Sequence, residues 1–433
     1  MIVCLSITAQ RAAAQSGQER PPLSARESEP DNFGWMQGHP PPPDKRLSVA
    51  DGSFFDFPAL RWSVVHMRDL LPTVGVGRGL GAPHPLAYRL DTTGIDTLTF
   101  TPWGAASPMT WEASLWENYT DGILILHRGQ IVYERYFGEL SDRRVHAVMS
   151  LTKSFTGTLA AILVAEGQLD PARPVTDYVP ELAGSAYGDA TVRQVMDMTT
   201  ALHYSEDYAD PNADVWDFSA AGNPLPKPAD YDGPVGYYEY LETVEKQGAH
   251  GEAFGYKTVN ADALGWIISQ ASGKSVAALL TEKVWSRMGA EQDAYYQVDG
   301  LGTPFAGGGL SAGLRDLARF GELIRTRGTL PNGTRLFPEA AVADIERGGS
   351  KEAFGRSDHL GLEGWSYRNM WWITENENGA YAARGVHGQT IYIDPTAAMV
   401  IVRLASHPVA ANSANNATSL PAYQAVADYL IRR

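Results

Sequence analysis

The sequence predicts an α+β domain built from both ends of the chain, with a mostly helical block between them. Two strand-like runs joined by "HRGQ" lie within residues 121–137, which is the pattern of a β-hairpin. Two more strands are predicted near the C-terminus, over residues 390–393 and 399–404. Residues 150–300 hold mainly helical patterns, and helices segregated from antiparallel strands are typical of an α+β fold.

Helices are predicted through the interior and at the end of the chain. The segments with helical patterns are "TVRQVMDMTT", "VNADALGWIISQASG", "SVAALLTEKVWSRMG", "LRDLARFGELIRTRG" and, as a closing helix, "PAYQAVADYLIRR". We therefore expect an antiparallel sheet flanked by helices, with a helical insertion.

These patterns divide the chain into parts. Residues 1–48 are a signal-like and Pro-rich lead-in, which we expect to be disordered or draped over the surface. Residues 49–155 and 300–433 would form the sheet domain, and residues 156–299 the mostly helical one. The helical part contains the loop 204–237, which is dense in Pro, Gly, Asp and aromatic residues. A loop of this length is often a lid, although a passive surface excursion remains an alternative.

Composition narrows the class of partner and cofactor. The net charge of −15, from 50 acidic and 35 basic residues, argues against a nucleic-acid partner. Cys4 is the single cysteine, so an internal disulfide and a cysteine-based metal site are excluded. The ten histidines show no paired ligand spacing on a helix. We expect no metal, no other cofactor and no membrane span.

The first 15 residues resemble a secretion signal in part. Residues 2–9 are mildly apolar, and Ala12, Ala13 and Ala14 resemble a small-residue cleavage site, but the basic start is missing. We therefore favour a periplasmic or exported protein over a cytoplasmic one.

A serine and a lysine open one of the predicted helices. After Ser150 the apolar residues recur at intervals of three and four until Gly167, so Lys153 lies one turn deeper on the same face. Ser150 could simply cap the helix. It could also be a nucleophile, because a desolvated lysine can serve as its base and a helix N-terminus offers N–H groups to an oxyanion.

Two later segments could supply partners for this pair. "FGYKTVNADALGWIIS" places Tyr256 and Asn260 just before a helix, and "GVHGQTIYI" places His387 at the start of a strand. Each residue also has a structural explanation: Tyr256 as a half-buried core residue, Asn260 as a helix cap and His387 as a turn residue.

The order of Ser-x-x-Lys, a Tyr-centred motif and a glycine-containing strand resembles the serine β-lactamase and penicillin-binding-protein superfamily. The resemblance is closest to the 6-aminohexanoate-dimer hydrolases, on the branch of class C β-lactamases and family VIII carboxylesterases. It is carried by "SLTKSFTGTLAAILVAEGQLDPARPVTDYVPELAGSAY", "VMDMTTALHYSEDYADP", "GGGLSAGLRDLARFG" and "GVHGQTIYIDP", and it spans roughly residues 110–430. It implies a β-lactamase/transpeptidase-like fold.

The resemblance also implies roles for individual residues. Ser150 would be the acylated nucleophile, Lys153 its base, and Tyr256 the third member of the triad. Tyr208 would be a lid tyrosine that contacts the substrate amide, and the backbone N–H of Val386 would be the second oxyanion donor. We expect His387 and Asn260 to help bind the substrate.

Two departures from the family pattern leave alternatives open. Thr258 stands where β-lactamases of this branch carry Asn, and "RGVHGQ" stands where they carry Lys-Thr-Gly. The leading hypothesis is a serine hydrolase of linear amides or esters; a β-lactamase or D-amino-acid peptidase and a non-catalytic binding module are the alternatives. The expected partner is a small amide or ester, with a homodimer as the assembly to test.

Overall fold

The computed structural model describes residues 21–357 and 361–433. The predicted signal-like run and Cys4 lie outside the described residues. The strands are β1 Thr73–Val76, β2 Thr99–Phe100, β3 Met109–Thr110, β4 Thr120–His127, β5 Gln130–Tyr136, β6 Val145–Ala147, β7 Ala294–Gln297, β8 Leu310–Gly313, β9 Ser366–Arg368, β10 Trp371–Ile373, β11 Tyr381–Gly385, β12 Gln389–Asp394 and β13 Met399–Ala405.

The main sheet joins the two ends of the described chain. Its seven strands run in the order β5-β4-β13-β12-β11-β10-β9, and every neighbouring pair is antiparallel. The hairpin β4–β5 turns at Arg128 and Gly129, both with positive φ, as a two-residue hairpin turn requires. A second sheet has the order β1-β7-β8-β6. The predicted α+β fold is confirmed, and so are the four strands predicted in the main sheet.

Helices cover the main sheet and fill the middle of the chain. Their bounds are α1 Leu60–Ser63, α2 Met67–Leu70, α3 Thr92–Asp96, α4 Trp111–Glu117, α5 Thr152–Ala165, α6 Val192–Met196, α7 Asp214–Gly222, α8 Tyr237–Thr243, α9 Val259–Ser272, α10 Val276–Leu280, α11 Leu314–Arg325, α12 Glu339–Glu346, α13 Lys351–Gly355 and α14 Ser413–Ile431. Within the described ranges, none of these helices is long and apolar enough to cross a membrane.

The helix predicted after Ser150 is α5, and it is buried on nearly all sides. A 3₁₀ turn over Met149–Leu151 precedes it, so Ser150 lies in that turn and Lys153 in the first turn of α5. Residues 152–163 are all buried, because α5 packs against the main sheet on one side and against α9 and α12 on the others. Gly167 follows the helix with φ of +73°, a conformation that favours glycine.

Two segments differ from the sequence-based expectation. The predicted loop 204–237 contains α7, because Asp214 and Asp217 favour a helix start and Val215 and Phe218 bury one face. The closing helix α14 begins at Ser413 rather than near Pro421, because buried polar residues of its first turns bind the sheet.

The described part of the lead-in, residues 21–48, is draped over the domain. Arg61 is 2% exposed, and its guanidinium donates to the carbonyl of Ala25 and to the hydroxyl of Ser28. The same group forms an ion pair with Asp121 at 3.1 Å. The lead-in thus satisfies a buried charge of the sheet domain, which the Pro-rich composition alone did not indicate.

Candidate active site

Ser150 and Lys153 form the centre of the site. The Nζ atom of Lys153 lies 2.8 Å from the Oγ atom of Ser150 and donates to the carbonyl of Gly307 at 2.7 Å. Ser150 is 8% exposed and Lys153 is 1% exposed. The nucleophile candidate therefore stays within reach of a small ligand, while its base candidate is held beneath it.

The surroundings of Lys153 favour its neutral form. Burial lowers the pKa of Lys153 to about 8, and the carboxylates of Glu206 and Asp262 oppose that shift. A lysine must lose its proton before it can accept one from a serine, and burial brings that ionisation close to neutral pH.

Tyr256 lies close to both Ser150 and Lys153. Its ring stacks on Trp372 with centroids 5.4 Å apart, and its centroid is 5.1 Å from the Nζ atom of Lys153. Burial and the Glu206 carboxylate raise the pKa of the Tyr256 phenol, while a hydrogen bond with Ser150 lowers it. The phenol is therefore a proton donor at neutral pH, within hydrogen-bond reach of the serine.

A carboxylate that the sequence analysis missed connects the lid to this group. Glu206 accepts a hydrogen bond from the hydroxyl of Tyr208 at 2.6 Å, and also binds the backbone N–H and the hydroxyl of Thr258. The structure thus brings Tyr208 to the edge of the site through Glu206. Thr258 occupies the expected Asn position, and here it anchors an acid.

The end of β11 packs directly on the turn that carries Ser150. A Cβ atom on Gly385 would lie 2.6 Å from the carbonyl oxygen of Val148 and 3.0 Å from the backbone nitrogen of Ser150. Only glycine allows this approach. Val386 directly follows Gly385 in the chain, so its backbone N–H is the candidate for a second oxyanion donor beside the N–H of Ser150.

Two residues that the sequence predicts to bind substrate, His387 and Asn260, form hydrogen bonds within the protein. His387 is 6% exposed, donates its backbone N–H to Ala410 at 2.9 Å, and its Nδ1 atom pairs with the carbonyl of His407. Asn260 is fully buried inside α9, not its cap, and accepts a hydrogen bond from Thr200 at 2.7 Å. Both side chains are thus buried among protein contacts, and their roles in substrate binding stay predictions.

Asp262 is a second acid that the motif analysis missed. It is fully buried, and its Oδ1 atom accepts the backbone N–H of Ala306 at 2.9 Å. A Cβ on Gly307 would lie 2.7 Å from its Oδ2 atom and 2.6 Å from Thr258. Asp262 therefore fixes the short segment whose carbonyl holds Lys153. No signal in its local sequence would have found it, because Tyr256 lies outside α9.

The arrangement suits acyl transfer through a serine. It combines a partly accessible hydroxyl, a buried amine near its ionisation point, a phenol and a strand end beside a backbone N–H. No group of three metal-binding side chains occurs in residues 21–357 and 361–433. The roles of Ser150, Lys153, Tyr256, Tyr208 and Val386 stay predictions.

Comparison with known proteins supports the same chemistry. The family model "Beta-lactamase" matches residues 113–424. The 6-aminohexanoate-dimer hydrolase of Paenarthrobacter ureafaciens is 37% identical over 360 residues, covering 82% of this chain and 88% of the relative.

Solved structures give the same picture of the fold. A Bacillus anthracis protein provisionally named as a 6-aminohexanoate-dimer hydrolase has a TM-score of 0.79 and 32% identity, covering 88% of this chain and 96% of that one. A family VIII carboxylesterase has a TM-score of 0.53 at 19% identity, covering 73% of this chain and 95% of that one, and shows the shared fold alone.

Proposed function

The chain belongs to the beta-lactamase family and is a serine hydrolase, and from this premise we propose that it cleaves linear amides or esters through an acyl-enzyme on Ser150. The observation that carries the proposal is the 2.8 Å contact between the Oγ atom of Ser150 and the Nζ atom of the buried Lys153. A serine is a weak nucleophile unless a base lies within hydrogen-bond reach.

In the acylation step, neutral Lys153 takes the hydroxyl proton as Ser150 attacks the carbonyl carbon of the substrate. The N–H groups of Ser150 and Val386 would stabilise the oxyanion that forms. Collapse of this intermediate breaks the bond to the amine or alcohol. The leaving group takes its proton from Tyr256, which recovers one from Lys153.

Deacylation reverses the same proton path. Water attacks the carbonyl carbon of the ester that joins the acyl group to Ser150. A proton of that water passes through Tyr256 and Lys153 to the departing serine oxygen. The products are a carboxylic acid and an amine or alcohol, and the site returns to its starting protonation state.

Linear substrates are favoured by the relatives and by the site. Two relatives that cover most of the chain are named for hydrolysis of a linear amide, the 6-aminohexanoate dimer. Thr258 binds Glu206 where a β-lactamase of this branch would present an amide side chain. A linear substrate has no β-lactam ring for that amide side chain to contact, so the replacement by Thr258 would not weaken its binding.

The test is the variant Ser150→Ala, assayed on p-nitrophenyl butyrate and on a linear amide. Loss of a nucleophile typically removes more than about 10³-fold of the rate, and we expect that loss on both substrates with unchanged circular dichroism. The matched control is Ser154→Ala, because Ser154 lies in the first turn of α5, four residues after Ser150, and its hydroxyl donates to the carbonyl of Met370. Turnover of Ser150→Ala within tenfold of wild type would exclude the mechanism.

A further inference from the structure

The ring of Tyr256 packs on a hairpin that lies outside its own segment of the chain. Strands β9 and β10 form this hairpin, and their register pairs Tyr367 with Trp372. The Trp372 ring stacks on Tyr256 with centroids 5.4 Å apart, and the Tyr367 ring meets Tyr256 edge-on at 6.3 Å. Both are preferred arrangements of aromatic rings. The direction of the Tyr256 phenol therefore depends on where the hairpin lies.

The turn of the hairpin, Asn369 and Met370, has a demanding backbone. Both residues have positive φ, of 50° and 63°, which is uncommon for residues other than glycine. The turn also packs on α5, where a Cβ atom on Gly157 would lie 2.0 Å from the carbonyl oxygen of Asn369. Such a conformation persists only where the surrounding structure holds it. The contacts of this turn with neighbouring segments therefore decide its position.

Asp197 binds this turn from the end of α6. Its buried carboxylate accepts the backbone N–H of Asn369 at 3.0 Å and pairs with Arg368 at 2.8 Å. Arg193 adds a second guanidinium at 3.3 Å. Asp344 of α12 completes the cluster, because it accepts from Arg368 at 2.7 Å and from the side-chain amide of Asn369 at 2.8 Å. These charge-assisted bonds tie the turn to two helices.

The residue after Asp197 holds the segment that carries Tyr256. The carbonyl of Met198 accepts the backbone N–H of Gly255 at 2.9 Å, and Tyr256 follows Gly255 in the chain. The dipeptide 197–198 thus binds the hairpin through one residue and the Tyr256 segment through the next. It therefore relates the Tyr256 ring to the two rings on which it packs.

We infer that Asp197 is a positioning residue for proton transfer: by holding the β9–β10 turn, it directs the Tyr256 phenol at the leaving group. The inference rests on the proposed function and deepens it, since it names a residue outside the Ser150 site on which the proton donor depends. A displacement of about 1 Å in a reacting group can cost about 10²-fold in rate. Release of the turn should therefore slow the reaction without removing any group that touches the substrate.

The experiment compares two esters that differ in their need for a proton. The p-nitrophenolate ion is stable and leaves unprotonated, whereas the ethoxide of ethyl butyrate must be protonated as it leaves. In Asp197→Asn we expect kcat/KM to fall at least about tenfold for ethyl butyrate and less than about threefold for p-nitrophenyl butyrate. A smaller amount of folded protein would lower both values by the same factor.

A double variant tests whether Asp197 acts through Tyr256. Tyr256→Phe removes the proton donor, so adding Asp197→Asn to it should change kcat/KM for ethyl butyrate by less than about twofold. Arg368→Lys keeps the charge but not the planar fork. It should show the same selective loss to a smaller extent, and it serves if Asp197→Asn does not fold.

The matched control is Asp316→Asn. Asp316 is also a buried carboxylate that pairs with an arginine, Arg319 at 3.0 Å, and accepts two backbone N–H groups, from Glu291 and Gln292. It binds the segment 291–292 instead of the β9–β10 turn, so the ratio of kcat/KM for the two esters should stay at its wild-type value.

The outcomes separate the inference from the proposed function. Equal fractional losses on the two esters in Asp197→Asn, or an undiminished effect in the Tyr256→Phe background, would overturn the inference. If Tyr256→Phe selectively loses ethyl butyrate and Asp197→Asn does not, the proposed function stands and the inference alone is wrong. A Tyr256→Phe protein with wild-type turnover of ethyl butyrate would contradict the proposed proton path, and the inference would fall with it.

Discussion

Replacing Asp262 by Asn should move the pH dependence of the reaction. The substitution keeps an oxygen that can accept the N–H of Ala306, but removes an ionisable carboxyl near Lys153. That carboxyl raises the pKa of Lys153. Without it the lysine should lose its proton at lower pH. Because neutral Lys153 is the base, activity should also begin to rise at lower pH.

The size of the shift follows from the geometry. The Nζ atom of Lys153 binds the carbonyl of Gly307, and the carboxyl of Asp262 lies against the same residue. Two unit charges roughly 6 Å apart interact with about 3 kcal/mol at an effective dielectric constant of about 20, and one pKa unit corresponds to about 1.4 kcal/mol. Burial raises the pKa of Asp262, so its carboxyl is ionised only in part while Lys153 titrates. We expect about half of the full effect, a shift of about one pH unit.

The assay is kcat/KM for p-nitrophenyl butyrate between pH 5 and pH 9, because this quantity reports the ionisation of the free enzyme. The control is Asp316→Asn, since Asp316 is also buried and accepts two backbone N–H groups, from Glu291 and Gln292, but does not act on Lys153. The midpoint of the acidic limb of the kcat/KM profile is compared between the Asp262 variant and wild type. A difference of less than about 0.2 pH unit would refute the reasoning.

Two further predictions concern groups nearer to the substrate. Lys153→Met and Tyr256→Phe should each lose nearly as much activity as the double variant, because coupled proton-transfer groups are not additive; losses that add in log rate would show independent roles. Tyr208→Phe should reduce kcat/KM for an amide more than for the matched ester, because the amine needs more help to leave. Equal fractional losses on the two substrates would indicate that the Tyr208 hydroxyl only binds Glu206.

The sequence predicted the parts of the fold that depend on neighbouring residues. The hairpin β4–β5 and the pair β12–β13 have alternating or continuous β-branched runs around short turns, so both could be predicted. The strands β9 to β11 were not predicted, since each is short and the aromatic residues in them give no clear period. Their pairing depends on β12, which lies between them and the rest of the sheet.

The candidate site likewise contains residues that the sequence could predict and residues that it could not. Ser150 and Lys153 are three residues apart, so helical spacing alone brings them together. Glu206 and Asp262 approach Lys153 from a lid loop and from α9. Nothing in their local sequence distinguishes them from the other acidic residues of a chain that has 50. Their importance comes from long-range packing, and only the structure could assign it.

The contacts of Lys153 explain why this packing matters for its chemistry. A neutral amine has two N–H donors and one lone pair. If one donor is directed at the carbonyl of Gly307, which lies 2.7 Å away, the lone pair can be directed at Ser150 at 2.8 Å. Displacement of that carbonyl would leave the amine free to rotate, and the lone pair would face the serine for less of the time. Asp262 holds the N–H of the preceding residue, Ala306. One buried acid would therefore help to orient the base and would also raise the pH at which the base becomes neutral, while burial lowers that pH.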